Sequence, residues 1–218
     1  MKLLDRLYTR LGFNALVSER YEKAEKYFLK LRRRTGGAVG TNHNLGMVYL
    51  AAGAFGRAET CFLREIENFG ESYSRTRVLA DVYYALRDAE KSLIYYRLAK
   101  GLAAQEPDLP LVRERIRICQ DKERFREGGT SPDLCKKGLL AEQNNDFSGA
   151  LDCYAKAIQK DPTNIQALNN GGACCQRLKD LRNALEYFKQ AHELSGLKAI
   201  GQNLKKIEKA IVNLRDEV

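Results

Sequence analysis

Residues 165–196 read IQALNNGGACCQRLKDLRNALEYFKQAHELSG, and the spacing of their small and apolar residues predicts two short helices packed face to face. Leu168, Gly172 and Cys175 share one face of the first helix, and Ala184, Phe188 and Ala191 share one face of the second, at the three- and four-residue steps of helical periodicity. Gly172 and Ala184 have almost no side chain, so the two backbones can approach closely and leave Phe188 to fill the space beside them.

The same arrangement recurs along the chain. From Ser131 it gives Leu134, Gly138, Ala141, Ala150, Tyr154 and Ala157, with Pro162 before the next unit. Upstream it gives Gly12, Ala24 and Phe28, then Gly46, Tyr49, Ala58 and Phe62, then Ala80, Tyr83, Ser92 and Tyr96. Ala150 and Ala184 are 34 positions apart, and the upstream units step by the same 34. A fixed period of this length in helical sequence marks a stacked repeat. Five units begin at Asp5, Val39, Tyr73, Ser131 and Ile165.

On these residues the chain resembles the tetratricopeptide repeat family, whose pattern has a small residue, an aromatic three later, and Ala-x3-Phe in the second helix. The position that opens the family pattern with a bulky residue holds Tyr8, Asn42, Thr76, Leu134 and Leu168. The resemblance implies an all-α, right-handed superhelical solenoid of stacked helix pairs, with about five repeats, a linker helix and a C-terminal capping helix. The expected organisation is a three-unit sub-array over 1–104, a linker and hinge over 105–130, a two-unit sub-array over 131–196, and a cap over 197–218.

A solenoid has no central core, so each unit buries surface only against its neighbours. The formal charge is +9, and residues 1–37 carry ten Lys and Arg against four Asp and Glu. Such an excess favours an acidic protein, a nucleic acid or an anionic membrane, or it is simply the solvated end of a helix through Lys23, Lys26, Lys30 and Arg32 to Arg34. Few aromatics besides Tyr21, Tyr27 and Phe28 accompany that run, which disfavours nucleic acid. The six cysteines form no metal-ligand spacing and several take small apolar positions of the repeat, as expected for core packing in a reducing compartment. Charges at Asp5, Arg6 and Arg10 break the apolar run at the N-terminus, so neither a signal peptide nor a membrane span is expected there; the expected location is cytoplasmic.

Between Ser92 and Ala150 the repeat phase breaks. Pro107 and Pro110 open LVRERIRICQDKERF, with Val112, Ile116 and Cys119 on one face, read as a single amphipathic helix capping the first three units. Glu127 to Thr130 reads as a hinge before Ser131 and Pro132 start the next unit. After the fifth unit, Leu197, Ile200, Leu204, Ile207, Ile211 and Leu214 fit either a solubilising cap or a short coiled-coil seam for a homodimer.

His43 and His192 lie in no nucleophile or metal motif, and Gly36, Gly37 and Gly40 lack the Lys-Ser/Thr of a phosphate loop, so no enzyme, metal or cofactor is expected. The resemblance implies instead a concave groove lined by the first helix of each pair, where an extended peptide or a partner helix lies. Positions five, six and nine of each unit should face it. They are Thr9, Arg10 and Phe13; His43, Asn44 and Met47; Arg77, Val78 and Asp81; Cys135, Lys136 and Leu139; and Asn169, Asn170 and Ala173. Asn44 and Asn170 suit a peptide backbone, and Arg10, Arg77 and Lys136 suit carboxylates. An acidic or amphipathic segment of another protein is the expected ligand. Relatives that clamp the acidic C-terminus of cytosolic chaperones use a Lys and Asn set of which only the middle Asn is matched here, which disfavours that role.

Overall fold

The computed structural model describes residues 3–216, with side chains described through 213, and contains thirteen helices and no strand among them. Five pairs follow the repeat: α1 Leu3–Val17 with α2 Tyr21–Thr35, α3 Thr41–Ala51 with α4 Phe55–Phe69, and α5 Tyr73–Ala85 with α6 Ala89–Leu102. After α7 Leu109–Gln120 and α8 Lys122–Gly128 come α9 Ser131–Gln143 with α10 Phe147–Lys160, α11 Ile165–Arg177 with α12 Leu181–Ser195, and finally α13 Lys198–Asp216. The chain divides into two compact units, 1–102 and 103–218.

Within each pair a tight turn folds the second helix back on the first, and one hydrogen-bond pattern repeats in all five. The backbone N–H of Arg20, Ala54, Asp88, Asp146 and Asp180 donates to the carbonyl five residues earlier, at 2.8 to 3.0 Å. The residue before each donor is left-handed: Glu19, Gly53, Arg87, Asn145 and Lys179, with φ between 57° and 72°. This is the closure that satisfies the last carbonyls of a helix. Asp146 and Asp180 then cap the second helix by accepting from the N–H three residues on, and Asp88 accepts from Lys91 in the same way.

The packing expected at the small residues is present. Ala24, Ala58, Ala150 and Ala184 are fully buried, as are Phe28, Phe62, Tyr96, Tyr154 and Phe188. A Cβ built on Gly12, Gly46 or Gly138 would meet the ring of Phe28, Phe62 or Tyr154 at 2.6 to 2.7 Å; on Gly172 it would meet the Phe188 ring at 3.0 Å. The glycine is what lets the ring lie against the backbone.

Neighbouring pairs in the first unit are joined by a polar clasp that also keeps the 34-residue step. Tyr49 donates to Glu25, and Tyr83 donates to Glu59, each at 2.8 Å. Arg57 lies over the Tyr49 ring, 4.0 Å from its centroid, and donates to the same Glu25 carboxylate at 2.5 Å. Burial and the carboxylate neighbour push Tyr49 up to about 12 and Tyr83 further in the same direction.

The structure corrects the reading of residues 105–130. They form two helices where one was expected, and both belong to the second compact unit. Leu111, Val112, Ile118 and Cys119 are the buried residues of α7, with Ile116 only half-buried. The helix packs on α12, and Arg115 Nε donates to Thr163 Oγ1 at 3.3 Å. The hinge expected over Glu127 to Thr130 falls where α8 packs on α10: Gly128 is buried and Glu127 is paired with Lys160 at 3.2 Å. The division between units lies between Leu102 and Ala103.

At the other end α13 covers the last pair. Ile200 and Ile207 are buried, and Leu204 and Ile211 pack against the cluster formed by Leu168, Cys175, Ala184, Phe188 and Ala191. Those apolar positions pack on the last pair and leave a face of Lys205, Lys206, Glu208 and Lys209 exposed. Leu214 falls outside the residues whose side chains are described.

Candidate functional site

The candidate residues lie on the first helices of the pairs, and each compact unit carries its own set. On the first unit Arg10 is exposed on α1, with no ion-pair partner among the described residues. Phe13 is 42% exposed and packs edge-on against Phe28, ring centroids 5.3 Å apart, so it belongs half to the surface and half to the core. On α3, His43 lies edge-on to Phe62 at 5.5 Å, and burial holds its pKa below the ordinary 6.5, so it is neutral near pH 7. Asn44 is half-buried, and Met47 packs against the core.

Arg77 and Asp81 on α5 were expected to face the ligand separately. They are paired with each other, Arg77 Nη1 to Asp81 Oδ2 at 2.6 Å, and Asp81 Oδ1 also accepts from Tyr96 at 2.7 Å. An arginine already holding a carboxylate one helical turn away is a poor first contact for a second one. Val78 and Cys135, also expected in the groove, are buried, at 2% and 3% exposure.

On the second unit Lys136 is exposed on α9. Asn169 and Asn170, half-buried on α11, are tied into an amide row: Asn203 of α13 donates to Asn169 Oδ1 at 3.4 Å, and Asn169 donates to Asn170 Oδ1 at 3.3 Å. Asn170 in turn donates to the Tyr154 hydroxyl at 3.4 Å. Beside this row Cys174 Sγ donates to Glu142 Oε1 at 3.1 Å. Burial, with that carboxylate next to it, raises the Cys174 thiol to about 12, and burial raises Cys135 to about 11. Both thiols are buried and protonated near neutral pH. Asn203 was missed from the sequence because this last helix was read for its apolar positions, as a cap or a coiled-coil seam; its distance of 34 residues from Asn169 is the signal that identifies it.

Among the described residues no group of three or more His, Cys, Asp or Glu side chains is arranged to hold a metal ion, and no helix is long and apolar enough to cross a membrane. Gly40, one of the glycines of the loop before α3, donates its N–H to the buried carboxylate of Glu65 at 2.5 Å, so that loop is tied to α4. A separate cleft of about 450 Å³ lies within the second unit between α7, α8 and α12, lined by Arg113, Arg117, Arg124, Glu114 and Glu193 among others.

Arrays of helix pairs with this register, turn and glycine-to-ring packing form a class of protein-interaction scaffold. The tetratricopeptide repeat family model matches residues 43–107 and 135–196, more than half of the chain, and the chain belongs to that family. Solved structures similar to it are the TPR2AB domain of yeast Sti1 in its pHSP90 complex, with 13% identity, covering 95% of this chain and 84% of that one at a TM-score of 0.46. MamA matches with 18% identity, 91% and 96% coverage and a TM-score of 0.43. YrrB, described as a TPR protein with an unusual peptide-binding site, matches with 19% identity, 91% and 90% coverage and a TM-score of 0.45.

Proposed function

We propose that the chain is a non-enzymatic adaptor that holds an acidic or amphipathic segment of another protein along the first helices of its pairs. The observation that carries this reading is the contrast among the three basic candidates. Arg77 is neutralised by Asp81, whereas Arg10 and Lys136 are exposed on the same register position, without an ion-pair partner among the described residues. Exposed, unpaired cations next to half-buried amides supply what an acidic segment in extended or helical form requires. On the first unit Arg10 is available to its carboxylates and Asn44 to its backbone; on the second, Lys136 and the row of Asn169, Asn170 and Asn203 offer the same two kinds of group.

The test is affinity capture from native lysate with the wild-type chain and with an Arg10→Glu, Lys136→Glu variant, followed by mass spectrometry. Selective loss of a captured protein with the variant supports the reading. Equal capture by both, or capture that disappears on nuclease treatment, counts against it.

A further inference from the structure

The repeat register shows which face of a first helix receives the second helix of the pair before it. Leu45 and Val48 of α3, packed by α2, are 0% and 1% exposed, and Leu79 and Val82 of α5, packed by α4, are both 0% exposed. Their counterparts 34 residues earlier are Leu11, which is half-buried, and Asn14, which is exposed. Along the same side of α1, Leu4 and Leu7 are 45% and 37% exposed, and Leu3 is 85% exposed. Leu4, Leu7 and Leu11 stand at steps of three and four, so they form one apolar stripe about 10 Å long. Nothing among the described residues covers it, while the last pair of the chain has α13 laid over it.

The surroundings of the stripe are basic. Beside it on α2, Lys23, Lys26 and Lys30 line a cavity of about 370 Å³ with Tyr27 and Glu22, and Tyr27 stacks on Tyr8 at 6.3 Å. On the other side Arg6 and Arg10 line a cavity of about 330 Å³ with Leu3 and Leu7. Asp5 is buried and engaged by Arg34 at 3.1 Å, which leaves Glu22 as the one acidic residue lining these two cavities.

We propose that this end face of the first unit is a docking site for an amphipathic helix of another protein, apolar along one stripe and acidic on both flanks. The face is shaped for a helix because the two equivalent faces of the unit each hold one. Charge complementarity decides the occupant: a second copy would bring Arg6, Arg10 and the three lysines against themselves, whereas Glu on either side of a Leu stripe meets a cation on each side. The site and the groove share Arg10, which the variants below leave in place.

The probe is a fluorescein-labelled 16-residue peptide with Leu at i, i+3, i+4 and i+7 repeats and Glu at the flanking positions, titrated by anisotropy with the full chain. A peptide with Lys in place of Glu and a scrambled Glu peptide serve as controls. The Glu peptide is expected to bind with an affinity that falls at least tenfold in Leu7→Asp and in Lys23→Glu, Lys30→Glu, and is unchanged in Lys189→Glu, an exposed charge on α12. All these positions are exposed or partly so, and unaltered circular dichroism shows that the variants fold. No binding, equal binding of the scrambled or Lys peptide, or equal affinity in the end-face variants overturns the proposal. So does stronger binding of single-stranded RNA or anionic vesicles to the same residues, or sedimentation showing a dimer that Leu7→Asp dissolves.

Discussion

Replacing Gly138 by alanine places a methyl carbon 2.6 Å from Cε1 and 2.8 Å from Cζ of Tyr154, distances that packed atoms do not hold. Tyr154 is fully buried and its hydroxyl is bound by Asn170 at 3.4 Å, so the ring has no open space into which to retreat. Overpacking of this kind costs about 1–3 kcal/mol, against a gain of about 1 kcal/mol from replacing glycine inside a helix. The net expectation for Gly138→Ala is destabilisation by up to about 2 kcal/mol. Gly172→Ala is the internal control, in the same compact unit and at the same register position. Its Cβ would meet Phe188 at 3.0 Å, which a shift of a few tenths of an ångström relieves, so the propensity gain nearly cancels the strain and the variant should lie within about 1 kcal/mol of wild type. Urea titration followed by circular dichroism reads the difference as a separation of about 0.5–1 M between the two midpoints, Gly138→Ala the lower. Coincident midpoints, or a Gly138→Ala midpoint above wild type, would refute the argument that ring contact holds glycine at this position.

Three further expectations follow from buried polar groups. Glu65 is 1% exposed and accepts the Gly40 N–H, so Glu65→Ala strands a donor and should lower the stability of the first unit by about 1–3 kcal/mol in a thermal or urea melt, with Glu65→Gln, which keeps an acceptor, losing less. Tyr49 and Tyr83 ionise less readily in the folded chain than the ordinary 10, so their stabilising contribution is intact below about pH 10 and is lost as pH rises above it toward the folded value of about 12 for Tyr49. The tyrosinate absorbance should therefore rise late and together with unfolding, and Tyr49→Phe should make the alkaline midpoint less steep. Cys153 is half-buried while Cys61, Cys119, Cys135, Cys174 and Cys175 are buried, so brief iodoacetamide treatment of the native chain should label Cys153 first, as peptide mass mapping would show; early labelling of Cys174 or Cys175 would contradict the packing.

The five pairs were legible because each one solves the same packing problem with the same residue sizes. A small residue at Gly12, Gly46, Ala80, Gly138 and Gly172 admits a ring at Phe28, Phe62, Tyr96, Tyr154 and Phe188, and that pairing survives changes everywhere else. The turns were legible in place but not in conformation. Glu19, Arg87 and Lys179 give no hint of positive φ, which the carbonyl closure of the preceding helix imposes whatever the side chain. Residues 105–130 have no counterpart in the repeat, so periodicity could not say which neighbour takes them; Leu111, Val112, Ile118 and Cys119 are buried on a helix that packs on α12, which the sequence did not indicate.

Side-chain chemistry in the candidate groove was only partly readable. Arg77 and Asp81 stand four apart on one helix, a spacing that pairs opposite charges, so the sequence held the signal against Arg77 even though it was read as a carboxylate contact. Glu65 occupies the register position of Leu31, Ala99, Ala157 and Ala191, where an apolar residue is expected, and only the three-dimensional approach of Gly40 explains a carboxylate there. The amide row was half visible, since Asn169 and Asn170 are adjacent while Asn203 comes from the capping helix.

The measurement that tests the central claim most directly is a backbone amide exchange footprint of the full chain with and without the protein segment it captures. The account predicts protection on α3, α9 and α11 around Asn44, Lys136 and Asn170, lost in the Arg10→Glu, Lys136→Glu variant. Protection confined to the second helices of the pairs, or unchanged by the variant, would contradict it.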